Sequence, residues 1–166
     1  MTTLSGSGIT VDVPSGWEGR IYAKAAADRP SSVSGAQAGP GPGSGSAPAD
    51  NAVLHVASFP LPPGVGDYGG GATEQMTNKD LLVVLMEHGR SSVGTALFSA
   101  KGIPRVTADD VSPTCLQRML EGQGGVQKFF TVNQRAFCLY VVFGSHARRV
   151  RTVPIVNDIL NSLSIS

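Results

Sequence analysis

The stretch "RAFCLYVVF", Arg135–Phe143, constrains the fold more than any other part of the chain. In a β-strand, alternate side chains point to opposite faces of the sheet. Both alternate sets in this stretch are apolar: one is Phe137, Leu139, Val141 and Phe143, and the other is Cys138, Tyr140 and Val142. The pattern therefore predicts a central strand whose sheet is covered on both faces.

Other strands are predicted on either side of this one. "VQKFFTV", residues 126–132, and the connection Asn133-Gln134 predict a hairpin that leads directly into it. Near the N-terminus, apolar and polar residues alternate over residues 9–13, which predicts a half-buried strand. Two more strands are predicted over residues 17–23 and 52–59.

Residues 27–50 have a different composition, with Val33 as their only large apolar residue. Such a segment cannot bury enough surface to offset the entropy lost on ordering it. Only 26 residues precede it, too few to fold alone. We therefore predict a single domain over residues 1–166, with a flexible Gly/Pro/Ser/Ala-rich insertion between two paired strands.

Two segments are predicted to be helices. In "TNKDLLVVLMEHG", residues 77–89, Thr77 and Asp80 resemble a capping box, and Gly89 suits a C-terminal stop. In "VPIVNDILNSL", residues 153–163, a proline occupies the first turn and apolar residues recur at helical spacing.

The segment over residues 94–122 is ambiguous. "TALF" fits a short strand, and "SPTCLQRML" fits a helix or a strand, with the strand slightly favoured. The order of strands, helix, strands and helix indicates an α+β domain with a mainly antiparallel sheet.

Two short motifs and the layout of the chain resemble the PsbP-like superfamily. The motifs are "VPSGW", residues 13–17, and "ILNSLSI", residues 159–165, and the late hairpin fits the same layout. This superfamily includes extrinsic photosystem II proteins, a Ran-binding nuclear import factor and many bacterial proteins. The resemblance implies an α/β/α sandwich around a curved, mainly antiparallel sheet. It implies a binding or assembly role and carries over no active-site residues.

Composition and charge exclude several functions. A net charge of +1 and 6% aromatic residues argue against nucleic-acid binding. No apolar run reaches the length of a membrane span, and the first residues do not have the pattern of a signal peptide. A cytoplasmic protein with reduced thiols is expected, and nine arginines against four lysines suggest a GC-rich bacterial genome.

The glycine-rich loop, residues 61–76, contains a literal G-x-G-x-x-G match at Gly64, Gly66 and Gly69. In a dinucleotide-binding fold these glycines open the helix that follows the strand. Here eight residues separate Gly69 from the predicted start of the helix. The sequence therefore predicts no nucleotide or other cofactor at this loop.

No catalytic or metal-binding constellation is predicted. His55, His88 and His146 are widely separated, and neither H-E-x-x-H nor C-x-x-C occurs. His55 is expected to be a hydrogen-bonded core or edge histidine. Cys138 is expected to be a small buried residue, and Cys115 is expected to be the more reactive of the two thiols, although no motif supports this.

The cap of the predicted helix and a solvent-exposed face are enough to account for the carboxylates Glu74, Asp80 and Glu87 in the sequence. They lack the convergent partners that acid–base chemistry needs. We therefore predict a protein that is not an enzyme.

The leading functional hypothesis is protein–protein interaction or assembly, with a protein partner and an oligomeric state that the sequence does not specify. The candidate contact residues are Phe59, Leu61, Val65 and Tyr68 in the loop, with Arg148, Arg149 and Arg151 in the basic run. The alternatives are a small-molecule or lipid-binding pocket between sheet and helices, and a hydrolase with an unrecognised site.

Overall fold

The structure, a computed structural model, describes residues 1–24 and 51–166. The predicted insertion at residues 27–50 lies outside the described residues. The described part holds eight β-strands and one α-helix. In chain order they are β1 Thr2–Gly6, β2 Ile9–Val13, β3 Glu18–Lys24, β4 Asn51–Ala57, β5 Leu81–His88, β6 Gly124–Val132, β7 Arg135–Phe143, α1 Arg149–Ser162 and β8 Ser164–Ile165.

The strands form two antiparallel sheets. The large sheet has the order β3-β4-β5-β7-β6, and the small sheet has the order β1-β2-β8. Strand β7 lies between β5 and β6 and every residue from Ala136 to Phe143 is buried, which confirms the prediction of a doubly covered central strand. The hairpin is also confirmed, since Asn133 and Gln134 both have the positive φ of a two-residue turn. The strands that flank the predicted insertion, β3 and β4, pair with each other.

One face of the large sheet, here called the first face, packs against the small sheet and α1. The large sheet contributes Leu54, Leu85, Leu139 and their neighbours on that face. The opposing layer contributes Ile9 and Val11 from β2, and buried residues from one side of α1. This interface is the main hydrophobic core.

The opposite face of the large sheet, here called the second face, is covered by loops. Its strands contribute Val53, Ala57, Leu82, Val84, Met86, Cys138, Tyr140 and Val142. Leu61 and Ala72 from the glycine-rich loop are buried in the same cluster, and Leu116 packs against it from residues 113–123. No helix of the described chain contributes to this cluster.

The prediction of an α/β/α sandwich is therefore wrong. The molecule is mostly β, and its single described α-helix covers the first face only. The helix predicted over residues 153–163 exists and starts earlier, at Arg149. Within residues 1–24 and 51–166, no helix combines the length and apolar character needed to cross a membrane.

The helix predicted over residues 77–89 is also wrong, because its apolar part forms β5. Leu81, Val83 and Leu85 enter the first core cluster, whereas Leu82 and Val84 enter the second. A run that is apolar at nearly every position satisfies both the helical and the strand period. Pairing with β4 on one side and β7 on the other decides for the strand.

The side chains that resemble a helix cap close a turn instead. The Asp80 carboxylate accepts hydrogen bonds from the Thr77 N–H at 2.7 Å and the Thr77 hydroxyl at 2.8 Å. The Asp80 N–H donates to the Thr77 carbonyl at 3.1 Å. These hydrogen bonds are those of a helix cap, but the residues that follow Asp80 form strand β5.

Three smaller expectations also change. "TALF" contains a 3-10 turn, Ala96–Phe98, and is not a strand. In "SPTCLQRML" only Ser112 makes a bridge, to Gly125, so this segment is neither a helix nor a continuous strand. Strand β1 was not predicted, because its short, mostly exposed sequence "TTLSG" lacks the alternation seen in β2.

Arg135 joins the two sheets at one end of the molecule. Its guanidinium donates to both carboxylate oxygens of Glu87 at 2.8 Å each. It also donates to the carbonyls of Ser7 at 2.9 Å and Ser166 at 2.8 Å, which belong to the small-sheet side. The guanidinium carbon lies 5.2 Å from the centre of the Phe137 ring. One side chain thus connects β7, β5, the β1–β2 turn and Ser166.

We expect Arg135→Met to lower the free energy of unfolding by about 2–3 kcal/mol, because it leaves the half-buried Glu87 carboxylate without its ion-pair partner and with only the Ala52 N–H as a described donor. The matched control is Arg118→Met, since Arg118 also forms an ion pair but its side chain is 67% exposed, against 19% for Arg135. The control should cost at most about 1 kcal/mol. Urea denaturation measures both, and equal losses would contradict this role of Arg135.

The Glu87 carboxyl should make stability depend on pH. Burial raises its pKa, but hydrogen bonds from Arg135 and from the Ala52 N–H outweigh burial and hold the pKa below its ordinary value of 4.5. A carboxyl with a lowered pKa stabilises the fold above its unfolded pKa, and this contribution disappears as the pH falls through the folded pKa.

We therefore expect stability to fall between about pH 5 and about pH 3, and Glu87→Gln to flatten part of that fall. Urea midpoints across this range measure the slope. Glu121→Gln, at an exposed position, is the control and should keep the wild-type slope. An unchanged slope in Glu87→Gln would contradict the prediction.

Candidate functional site: a cleft on the second face

Strand β3 attaches the start of the glycine-rich loop to the sheet. The Glu18 carboxylate accepts a hydrogen bond from the Leu61 N–H at 2.8 Å, and this bond is the largest of the causes that lower the pKa of Glu18. Arg20 donates to the carbonyls of Leu61 and Pro62 and pairs with Glu18. These contacts turn the loop back across the second face.

A second set of contacts converges on Asp67. Its carboxylate pairs with Lys24 and accepts from the Tyr22 hydroxyl at 3.3 Å, and its carbonyl lies 3.0 Å from Nε2 of His55. Burial raises the pKa of Tyr22 to about 12 and lowers the pKa of His55. His55 is therefore a neutral, hydrogen-bonded core histidine, as predicted.

Within the loop, the glycines make a tight turn and do not open a helix. The Gly66 N–H donates to the Gly70 carbonyl at 2.9 Å, and the Gly69 N–H donates to the Gly66 carbonyl at 2.7 Å. Gly69 has φ +80°, and a Cβ there would collide with Leu82. The chain continues through a 3-10 turn, Thr73–Gln75, into β5. The arrangement lacks the helix that a dinucleotide-binding turn requires.

A cleft of about 320 Å³ opens where the glycine-rich loop meets residues 113–123. Tyr140 and Val142 of β7 line it from the sheet, Tyr68 from the loop, and Leu116 from the opposite segment. The rings of Tyr68 and Tyr140 meet edge to face, with centroids 5.4 Å apart. Gly66 and Gly70 line the cleft with bare backbone. The site is therefore a mainly apolar slot against the sheet.

Polar contacts tie the two walls of the cleft together. Arg118 pairs with Glu74 at 2.8 Å, joining residues 113–123 to the glycine-rich loop. Nε2 of Gln123 donates to the Thr73 carbonyl at 2.9 Å. The Tyr140 hydroxyl oxygen accepts from the Gln117 N–H at 2.9 Å. Both walls are thus held by a few identifiable bonds.

The cleft is electrostatically neutral. Its lining acids are paired, Asp67 with Lys24 and Glu74 with Arg118. A hydrogen bond from its own backbone N–H is the largest cause that lowers the pKa of Glu74. Burial opposes this effect, and the hydrogen bond from Arg118 lowers the pKa further. Burial raises the pKa of Tyr140, so the phenol keeps its proton at neutral pH. An uncharged molecule fits this setting better than an ion.

The residues predicted to contact a partner are distributed differently. Leu61 is only 4% exposed and belongs to the second core cluster, and Phe59 and Val65 pack against it half-buried. Tyr68 borders the cleft. The arginines lie at the start of α1, outside the cleft: Arg148 and Arg149 are half-buried, and Arg151 is exposed.

A larger cleft, of about 970 Å³, lies at the other end of β5 and includes Glu87 and His88. Burial lowers the pKa of His88, whose ring packs against Phe98 at 5.0 Å. Adjacent residues of a strand point to opposite faces, and both oxygens of the Glu87 carboxylate bond to Arg135. Glu87 and His88 therefore do not form an acid–base pair.

The remaining candidates are also dispersed. Cys138 is buried, as predicted, Cys115 is half-buried, and both thiols are free. Asp80 serves the Thr77 turn, and its other oxygen accepts from Ser58 at 3.1 Å. His146 lies 3.1 Å from the Val111 carbonyl. Among residues 1–24 and 51–166, no three His, Cys, Asp or Glu side chains come together as metal ligands do.

Comparison of the chain with known protein families, with curated proteins and with solved structures finds no match in any of the three. The PsbP-like resemblance therefore stays a prediction. Sequence reasoning missed the cleft residues Leu116, Gln117, Arg118 and Gln123, which belong to no motif. For Tyr140 the sequence did contain a signal of a functional role, because its hydroxyl is a polar group within a strand that is otherwise apolar on both faces.

We expect Gly69→Ala to destabilise the fold by about 2 kcal/mol, because alanine at positive φ is strained and its Cβ meets Leu82. Gly70→Ala is the matched control, since its φ lies outside the left-handed region and the space around its Cβ is open. The control should stay within about 0.5 kcal/mol of wild type. Thermal or urea unfolding measures both, and similar losses at both glycines would refute this account of the turn.

Proposed function

We propose that this protein binds a small, uncharged molecule in the cleft on the second face. The observation that carries the proposal is an apolar slot in which buried polar groups keep unused hydrogen-bonding capacity. Its volume of about 320 Å³ lies at the lower end of the range for small-molecule sites. Such sites are mostly apolar, with a few polar groups that fix the orientation of the ligand.

The burial of Leu61 favours this function over assembly with a protein partner. The assembly hypothesis depended on the apolar side chains of the glycine-rich loop. Leu61 is buried, and Phe59 and Val65 pack against the second core cluster, so less apolar surface remains for a partner. The large exposed apolar residues include Leu97, Met119 and Val150, and single exposed residues are ordinary in proteins without a partner.

A hydrolase receives less support than a binding protein. The histidines with lowered pKa, His55 and His88, have no carboxylate side chain positioned to orient them among their described hydrogen bonds. Nucleophilic catalysis needs a nucleophile, a base and a group that orients the base. The cleft contains a phenol, side-chain amides and paired ions. These groups can bind a ligand, but they do not form a nucleophile with a base.

The test is a fragment screen with uncharged aromatic compounds, followed by amide and methyl NMR on the whole chain. We expect shifts at Tyr68, Leu116, Tyr140 and Val142. Gly70→Leu should abolish them, because Gly70 lines the cleft and the open space at its Cβ position can accept a leucine side chain, which would narrow the cleft.

Gly89→Leu is the control for that substitution. Gly89 also has negative φ, and only Ser91 Oγ, at 3.9 Å, lies near its Cβ position. It lines the larger cleft and not the proposed one, so this variant should bind as wild type does. If no fragment shifts the cleft residues, or if Gly70→Leu binds as well as Gly89→Leu, the proposal fails.

A further inference from the structure

Two buried side chains at the cleft have hydrogen-bonding capacity that the described residues leave unused. Tyr140 is 2% exposed, and its oxygen accepts from Gln117. Its hydroxyl proton has no acceptor within residues 1–24 and 51–166. Gln123 is 6% exposed, and its Nε2 donates to Thr73, whereas its Oε1 is buried without a partner in the described chain.

Such groups are costly in a folded protein. A buried polar atom left without a partner costs about 1–3 kcal/mol, and most such atoms in native structures are satisfied. Gln123 Oε1 is an atom of this kind, and the Tyr140 hydroxyl, which accepts from Gln117, can still donate a hydrogen bond at the same cleft. Together they indicate a ligand that supplies a donor to the one and an acceptor to the other. Gln123 also borders a neighbouring cavity beside His146, whereas Tyr140 borders the cleft on the second face and not that neighbouring cavity.

The two groups have opposite requirements. The phenol O–H of Tyr140 needs an acceptor, and Oε1 of Gln123 needs a donor. We propose that the ligand of this cleft is an uncharged, planar heterocycle with a lactam-type edge, in which an N–H lies beside a C=O. This inference rests on the proposed function and specifies the chemistry of the ligand at the same site.

The shape and charge of the cleft fit the same class. The bare backbone at Gly66 and Gly70 leaves room for a flat ring against one wall, and Tyr68 and Tyr140 offer aromatic surfaces. The paired Glu74 and Arg118 leave no free charge for an ionised group. A ring with a neutral amide edge needs no charged partner.

The experiment measures dissociation constants by NMR titration for three probes of similar size: carbostyril, N-methylcarbostyril and naphthalene. Carbostyril carries the lactam edge, its N-methyl derivative lacks the donor, and naphthalene lacks both polar groups. We expect carbostyril to bind wild type about tenfold more tightly than its N-methyl derivative, which is the effect of about one satisfied buried hydrogen bond. Naphthalene, which lacks both polar groups, should bind less tightly than carbostyril by at least the same factor.

Gln123→Met should remove the preference for carbostyril over its N-methyl derivative, because the acceptor is gone. Gln127→Met is the matched control: Gln127 faces the same side of the sheet, pairs with Tyr140 in register and does not line the cleft. This control should keep the preference. If Gln123→Met does not fold, the ratio of the dissociation constants of carbostyril and N-methylcarbostyril for the wild-type protein still tests the inference.

The outcomes separate the two proposals. Equal affinity of all three probes for the cleft overturns the lactam inference and leaves small-molecule binding intact. A preference that persists in Gln123→Met also overturns the inference. If no probe binds while other uncharged fragments do, the lactam edge is wrong. If nothing uncharged binds at the cleft, both proposals fail.

Discussion

Burial on both faces of the large sheet is the constraint on which the rest of the structure depends. Strands β5 and β7 place apolar side chains in both core clusters, and leaving either set in water would forfeit roughly 25 cal/mol for each Å² of apolar surface. The small sheet and α1 cover the first face. No helix of the described chain covers the second, so the loops between strands must do so.

A cover made of loops needs specific attachments, because irregular backbone has no ladder of hydrogen bonds to hold it. Glu18 and Arg20 hold the start of the glycine-rich loop, and Asp67 connects its middle to β3 and β4. Residues 113–123 close the remaining area through Leu116 and Arg118. The cleft lies where these two covers meet, so the proposed site follows from how the sheet is covered.

Sequence patterns predicted the strands that carry a clear local signal. The alternation in β2 and the turn at Asn133-Gln134 are local signals, and both elements were found. The helix predicted over residues 77–89 failed because β5 pairs with β4 and with β7, some 50 residues further along the chain. Its capping side chains are present and act in a turn, so local chemistry did not identify the element that follows.

The sequence by itself determined that a sheet covered on both sides must exist and that a late hairpin supplies two of its strands. These conclusions depend on side-chain alternation and on turn residues, which act over a few positions. Only the tertiary structure decided what covers each face and which polar groups meet at the cleft. Tyr140 and Gln123 are 17 residues apart, and their proximity to Tyr68 and Glu74 depends on how distant loops fold over the sheet.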